Sequence, residues 1–161
     1  MNQVRDTAGI IAPPPVIALG AILLGIGLDW LLPIRGLVLL PLEIRIGSGL
    51  LLAVCGGAFA LAGMGAFRRG GTNIDPFKPS TTLVTSGIYA RLRNPMYVGL
   101  GFLVTGIGIA LASDWTLVML AAAALLLHFG VVRREERYLE AKFGDAYRHY
   151  KETVPRYGWP G

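Results

Sequence analysis

Glu135, Leu139, Phe143 and Tyr147 recur at every fourth position and fall along one stripe of a helix. Glu136 and Glu140 fall on the neighbouring, more exposed stripe. A carboxylate at the head of an apolar face costs free energy unless a cation or hydroxyl groups engage it. Glu135 is therefore a candidate binding residue, although a surface glutamate paired with Arg133 or Arg134 fits the same spacing. His128 lies seven residues earlier, close to two helical turns, so it faces roughly the same way. An ionisable side chain at that depth is a functional candidate; a packing histidine with a backbone partner is the alternative.

A second polar stretch, 75–97, reads DPFKPSTTLVTSGIYARLRNPMY. Leu83, Val84, Ile88 and Tyr89 are interleaved with hydroxyls, and the stretch runs straight into an apolar segment. Such a loop can fold back and offer backbone N–H and C=O groups to a polar ligand; an amphipathic interfacial loop has the same composition. Neither stretch holds a metal-ligand cluster, an HExxH motif or a Ser/His/Asp set with elbow glycines. No metal site or catalytic nucleophile is read from the residues, and Gly99-Leu100-Gly101 follows no strand.

The elements that position these stretches are apolar. Hydrophobic residues make up 53% of the 161 and charged residues 16%, with a mean hydropathy of +0.55. Runs over 16–32, 46–67, 96–112 and 115–132 approach the roughly 20 residues a helix needs to cross a bilayer. Backbone groups in lipid must be satisfied within the segment, which favours helices. The expected fold is an all-α integral membrane protein, a single domain over 1–161, with about four transmembrane helices. Loop 68–95 and tail 133–161 complete it, the tail carrying an amphipathic C-terminal helix. Gly49, Ala53 and Gly57, four apart, and Gly56 and Ala60 at the same spacing, are read as helix-packing positions. Such small-residue faces would permit a dimer, and the oligomeric state is left open. Cys55, the single cysteine, lies mid-span and packs.

Basic residues concentrate in the loop and tail, whereas Arg35 and Arg45 alone fall on the other side. The positive-inside rule places both termini, the loop and the tail in the cytosol. The net charge of +5 then faces anionic lipid, and no basic–aromatic stripe suggests nucleic acid as a partner.

Leu83–Gly99, LVTSGIYARLRNPMYVG, is followed after a helical hairpin by Glu135-Glu136, FGDAY, Tyr150 and VPR. In this order and spacing the chain resembles the isoprenylcysteine carboxyl methyltransferase family, and the related phospholipid methyltransferases share part of the pattern. The resemblance covers roughly Thr81 to Arg156. It implies S-adenosylmethionine as cofactor, lying along Thr81, Thr82, Leu83, Val84 and Tyr89 and touching Asn94, Pro95, Met96 and Tyr97. The tail carboxylate of that family aligns with Glu135. Two positions depart from the pattern: Asn94 replaces the usual histidine, and Val131 stands where eukaryotic members have a substrate-contacting arginine.

The function so implied is methyl transfer to a lipophilic acceptor at the cytosolic membrane face, with His128, Arg133 and Arg134 as candidate acceptor contacts. An NADPH-dependent membrane reductase of the sterol reductase type and a non-enzymatic membrane scaffold are the alternative readings.

Overall fold

The computed structural model describes residues 6–75 and 77–158. Among them every regular element is helical. Helix α1 (Pro14–Leu31) opens on proline, whose missing N–H costs nothing in a first turn. Helix α2 (Leu42–Arg69) closes at Gly70 with Arg68 and Arg69 in its last turn, where cations meet the negative end of the helix dipole. Helix α3 (Pro95–Leu111) again opens on proline. Ser113 caps α4 (Asp114–Leu127) by accepting the Thr116 N–H at 3.2 Å. Helix α4 continues through a π-helical turn, His128–Val132, into α5 (Arg133–Phe143). Gly144, at φ +55°, ends that rod, and α6 (Asp145–Thr153) turns against α5.

Among the described residues three helices are long and apolar enough to cross a bilayer: α1, α2 and the 30-residue rod Asp114–Phe143. Helix α3 stands where a fourth span is expected; it is an apolar helix of 17 residues, at the lower limit of length for a crossing. The rod is about 45 Å long, so its end, beginning with the consecutive charges Arg133 to Arg137, projects beyond the hydrocarbon. The tail departs from the single amphipathic helix expected, because Gly144 adopts a left-handed φ that other residues resist. Leu23, Leu50, Leu61 and Leu125 are 60–68% exposed, a surface that lipid tolerates and water does not. The chain is an integral membrane protein.

Helices α2 and α3 pack antiparallel along glycines. A Cβ on Gly56 would lie 2.5 Å from the Gly99 carbonyl oxygen, and one on Gly106 would lie 2.5 Å from that of Gly49. Gly49, Gly56 and Gly63 thus form the contact at a spacing of seven, with Gly63 against Met96. Of the small residues expected to pack, Gly49 and Gly56 therefore meet α3, whereas Gly57 has open space beside it, which corrects the expectation at that position. Helix α1 pairs with α4 at Gly25 and Thr116. Asp29, at the end of α1, accepts from Ser113 Oγ and from the Trp115 N–H, so its charge meets the N-terminus of α4.

At the opposite end of the bundle the N-terminal segment, the loop after α2 and the tail come together. The Ile11 N–H donates to the Gly130 carbonyl at 3.3 Å, within the π-helical turn, where the main-chain ladder is loosened. The Ser80 N–H donates to Tyr138 Oη at 3.0 Å. The Arg93 N–H donates to the Pro155 carbonyl at 2.9 Å.

Candidate functional site

The loop after α2 is tied into a compact shape by its own side chains. Thr72 Oγ1 accepts the N–H groups of Thr81 and Thr82 at 2.9 and 3.4 Å. Thr81 Oγ1 donates to the Gly71 carbonyl at 3.1 Å, and Asn73 Nδ2 to that of Pro79 at 2.8 Å. The chain then passes Leu83, which packs on a cluster of Tyr147, Tyr150 and Val154 from the tail. Tyr150 Oη donates to the Tyr89 carbonyl at 2.6 Å, and the Tyr89 ring stands edge-on to Phe67 at 5.3 Å. Burial pushes the Tyr89 hydroxyl well above its usual pKa, so it stays a neutral donor.

These contacts leave an open cleft of about 900 Å³, part of it continuous with solvent, between the loop, the start of α3 and α5. Glu135 and Tyr97 meet in it, with Tyr97 Oη donating to Glu135 Oε1 at 2.8 Å. Burial pushes the Glu135 carboxyl up to about 7; the bond from Tyr97 opposes this, and the neighbouring Glu136 adds to it. At the edge of the cleft, Met96 packs on Gly63.

Glu136 behaves differently from expectation. It is not on an exposed stripe but is 9% exposed. Arg93 Nη1 donates to its Oε1 at 2.7 Å, and Arg156 reaches both its oxygens at 2.8 and 2.7 Å. A single apolar stripe corresponds to one covered side of α5. The tail beyond Gly144 covers a second, bringing Arg156 onto Glu136. Arg93 Nε is buried and has no partner among the described residues.

Of the residues expected at a cofactor, Thr82, Leu83, Val84, Tyr89, Asn94, Met96, Tyr97 and Glu135 line this cleft. Thr81 is turned into the loop, and Pro95 is buried in the first turn of α3. Asn94 also donates through Nδ2 to the Arg156 carbonyl at 3.3 Å. The expected acceptor contacts lie elsewhere. His128 Nδ1 is 3.1 Å from Tyr157 Oη, Arg133 lies over the Phe129 ring, and Arg134 donates to the Gly9 carbonyl. The π-helical turn between His128 and Glu135 gives extra residues per turn, so their spacing no longer places them on one side.

The cleft also takes in Ala8, Asp75, Lys78, Arg93 and Tyr138, which the sequence reading did not single out. Charge among the Pro, Ser and Thr residues of the loop is the available signal for Asp75 and Lys78. Among the described residues no group of three or more His, Cys, Asp or Glu side chains could hold a metal ion.

A helical membrane bundle with a polar cleft at one end, walled by loop, helix start and tail, defines a class, and comparison with known proteins places the chain within it. The phospholipid methyltransferase family matches residues 44–146, more than half of the chain, and the chain belongs to that family. It is 39% identical over 45% of its length to protein-S-isoprenylcysteine O-methyltransferase of Schizosaccharomyces pombe, covering 31% of that protein. The protein of the same name from Xenopus laevis is 37% identical over 47% of this chain and 26% of its own length. Cobalt-zinc-cadmium resistance protein CzcN of Cupriavidus metallidurans is 32% identical over 50% of this chain and 37% of its own length. The matched stretch thus spans well under half of each relative. No solved structure matches the chain.

Proposed function

We propose that the chain is an S-adenosylmethionine-dependent methyltransferase that acts on a lipophilic acceptor at the cytosolic membrane face. The observation that carries this reading is the Tyr97–Glu135 pair in the cleft of a chain from a methyltransferase family. The residues suit the cofactor. Glu135 offers a half-buried carboxylate to an ammonium or ribose hydroxyls, and the orphaned Arg93 Nε offers a donor to a carboxylate. Leu83, Val84 and Tyr89 supply apolar walls for the remainder.

When bound, S-adenosylmethionine would supply an activated methyl group to the acceptor's nucleophile and would leave as the neutral thioether S-adenosylhomocysteine. The protein's task is alignment, which can supply several kcal/mol. Glu135 and Arg93 hold the amino-acid end, Tyr97 and Asn94 fix the polar end of the cleft, and Thr82, Leu83, Val84 and Tyr89 enclose the nucleoside. Thr81 shapes the loop, and Pro95 sets the start of α3. A poorly hydrated cleft at the membrane boundary strengthens attraction between an anionic nucleophile and the sulfonium. His128, Arg133 and Arg134 lie outside the cleft and take no part in this reading. Two relatives are named for methylating an isoprenylcysteine; here the acceptor class is a lipophile reaching the cleft from the bilayer.

Isothermal titration with S-adenosylhomocysteine tests the reading. Binding by the wild type and a marked loss in Glu135→Ala are expected. Equal affinity in both removes Glu135 from the site, and no binding by either removes the cofactor.

A further inference from the structure

Arg133 and Arg137 stand apart from the other basic side chains of the tail. Residues 133–156 hold seven lysines and arginines. Arg134 donates to the Gly9 carbonyl, and Lys142, Arg148, Lys151 and Arg156 each pair with a carboxylate. Among the described residues, Arg133 and Arg137 pair with no carboxylate, and both are exposed. Arg137 commits only its Nε, to the Arg133 carbonyl at 3.2 Å, which draws its guanidinium back along the helix toward Arg133.

Arg133 in turn lies over the ring of Phe129, 5.7 Å from its centroid, and Phe129 is 56% exposed. The three side chains line one groove on the outer surface of the rod. Phe129 belongs to the apolar part of the rod, and the two arginines follow where it leaves the hydrocarbon. The nearby carboxylates do not neutralise them, because Glu135 is engaged by Tyr97 and Glu136 by Arg93 and Arg156.

An exposed aromatic ring at acyl-chain depth, followed by two free guanidiniums at headgroup depth, matches an anionic phospholipid. Arginine donors suit phosphate oxygens, and an acyl chain can lie along the ring. We propose that Phe129, Arg133 and Arg137 form a binding site for one anionic phospholipid, outside the methyl-transfer cleft and independent of the reading given to that cleft.

The test is native mass spectrometry of the full chain released from nanodiscs of equimolar phosphatidylglycerol and phosphatidylcholine. The wild type retains phosphatidylglycerol in preference. Arg133→Gln with Arg137→Gln lowers that retention about thirtyfold and leaves phosphatidylcholine unchanged. The charge-matched pair Arg148→Gln with Lys151→Gln retains the lipid as the wild type does. Equal retention by the Arg133/Arg137 variant overturns the proposal, as does equal loss by the charge-matched variant, which would make net charge the cause. If the double variant does not purify folded, Arg137→Gln alone gives the same readout at an exposed position. Melting in detergent separates the sources of phosphate: protection by short-chain phosphatidylglycerol and none by inorganic phosphate is expected, and equal protection by both overturns the lipid assignment.

Discussion

Tyr97 Oη donates to Glu135 Oε1 at 2.8 Å, joining the first turn of α3 to α5 across 38 residues of sequence. The bond holds the carboxylate in the cleft and favours its charged form against burial. Tyr97→Phe keeps the ring and removes the donor. Affinity for S-adenosylhomocysteine at pH 7 is expected to fall about ten- to a hundredfold, the size of one hydrogen bond to a charged group. Calorimetry on the purified variant checks this, and an unchanged affinity would show that the hydroxyl does not support the binding form of Glu135.

The titration of Glu135 sets a pH dependence. Its folded value, raised from 4.5 to about 7 by burial, leaves the carboxyl largely protonated below neutrality. A cationic ligand group favours the carboxylate, so binding must expel that proton. Affinity for S-adenosylhomocysteine is expected to rise with pH up to about 7 and then level off. Below pH 7 the measured enthalpy should vary with the ionisation enthalpy of the buffer. Glu135→Gln removes both effects. For the ligand-free protein the sign is the reverse of that for a carboxylate in an ion pair. Between about 4.5 and 7 the unfolded chain loses its proton first, so this group's contribution to stability declines as pH rises. Melting scans of wild type and Glu135→Gln across that window test the decline.

Glu136 is a structural anchor by contrast. It takes Arg93 on one oxygen and spans Arg156 with both, and it is 9% exposed. Glu136→Ala leaves the buried Arg93 guanidinium without a counter-charge, which costs about 3 kcal/mol or more for a buried pair. A clear fall in melting temperature in detergent is expected. Glu140→Ala breaks only a solvent-facing contact with Lys151 and should leave the melt unchanged. Similar melts for the two variants would place Glu136 outside any stabilising network.

The sequence makes some of this legible and hides the rest for physical reasons. Apolar runs bounded by proline mark the long helices because burial in lipid demands continuous hydrophobicity. Glu135 stands out because the stripe through Leu139 and Tyr147 is a local pattern that survives in α5 and the buried tail cluster. Glu136, on the same helix, is misplaced by that pattern, since its covering partner Arg156 arrives only after the chain has turned at Gly144. The part played by Tyr138 is hidden likewise: its hydroxyl accepts the Ser80 N–H across 58 residues, a contact with no periodic trace. The spacing between His128 and Glu135 misleads because a π-helical turn has no clear sequence mark. A spacing of four also fits the small residues of α2, and only the partner helix shows that Gly56 faces α3 while Gly57 does not.

A Cβ at Gly56 would lie 2.5 Å from the Gly99 carbonyl oxygen, and one at Gly99 would lie 2.7 Å from that of Gly56. Backbone cannot rotate aside as a side chain does, so Gly56→Ala forces α2 and α3 apart and should cost about 1–3 kcal/mol. Gly57→Ala meets nothing within 4 Å and gains helix propensity of up to about 1 kcal/mol, so its melt should match or exceed the wild type. Gly56→Ala with Gly99→Ala should cost less than the sum of the single changes, because one separation of the helices accommodates both methyl groups. Helix α3 also carries Met96 and Tyr97 into the cleft. Moving it should stretch the bond to Glu135, so Gly56→Ala is expected to weaken S-adenosylhomocysteine binding as well as stability, whereas Gly57→Ala leaves both intact. Equal melts for the Gly56 and Gly57 variants would mean that the helices do not meet along this stripe.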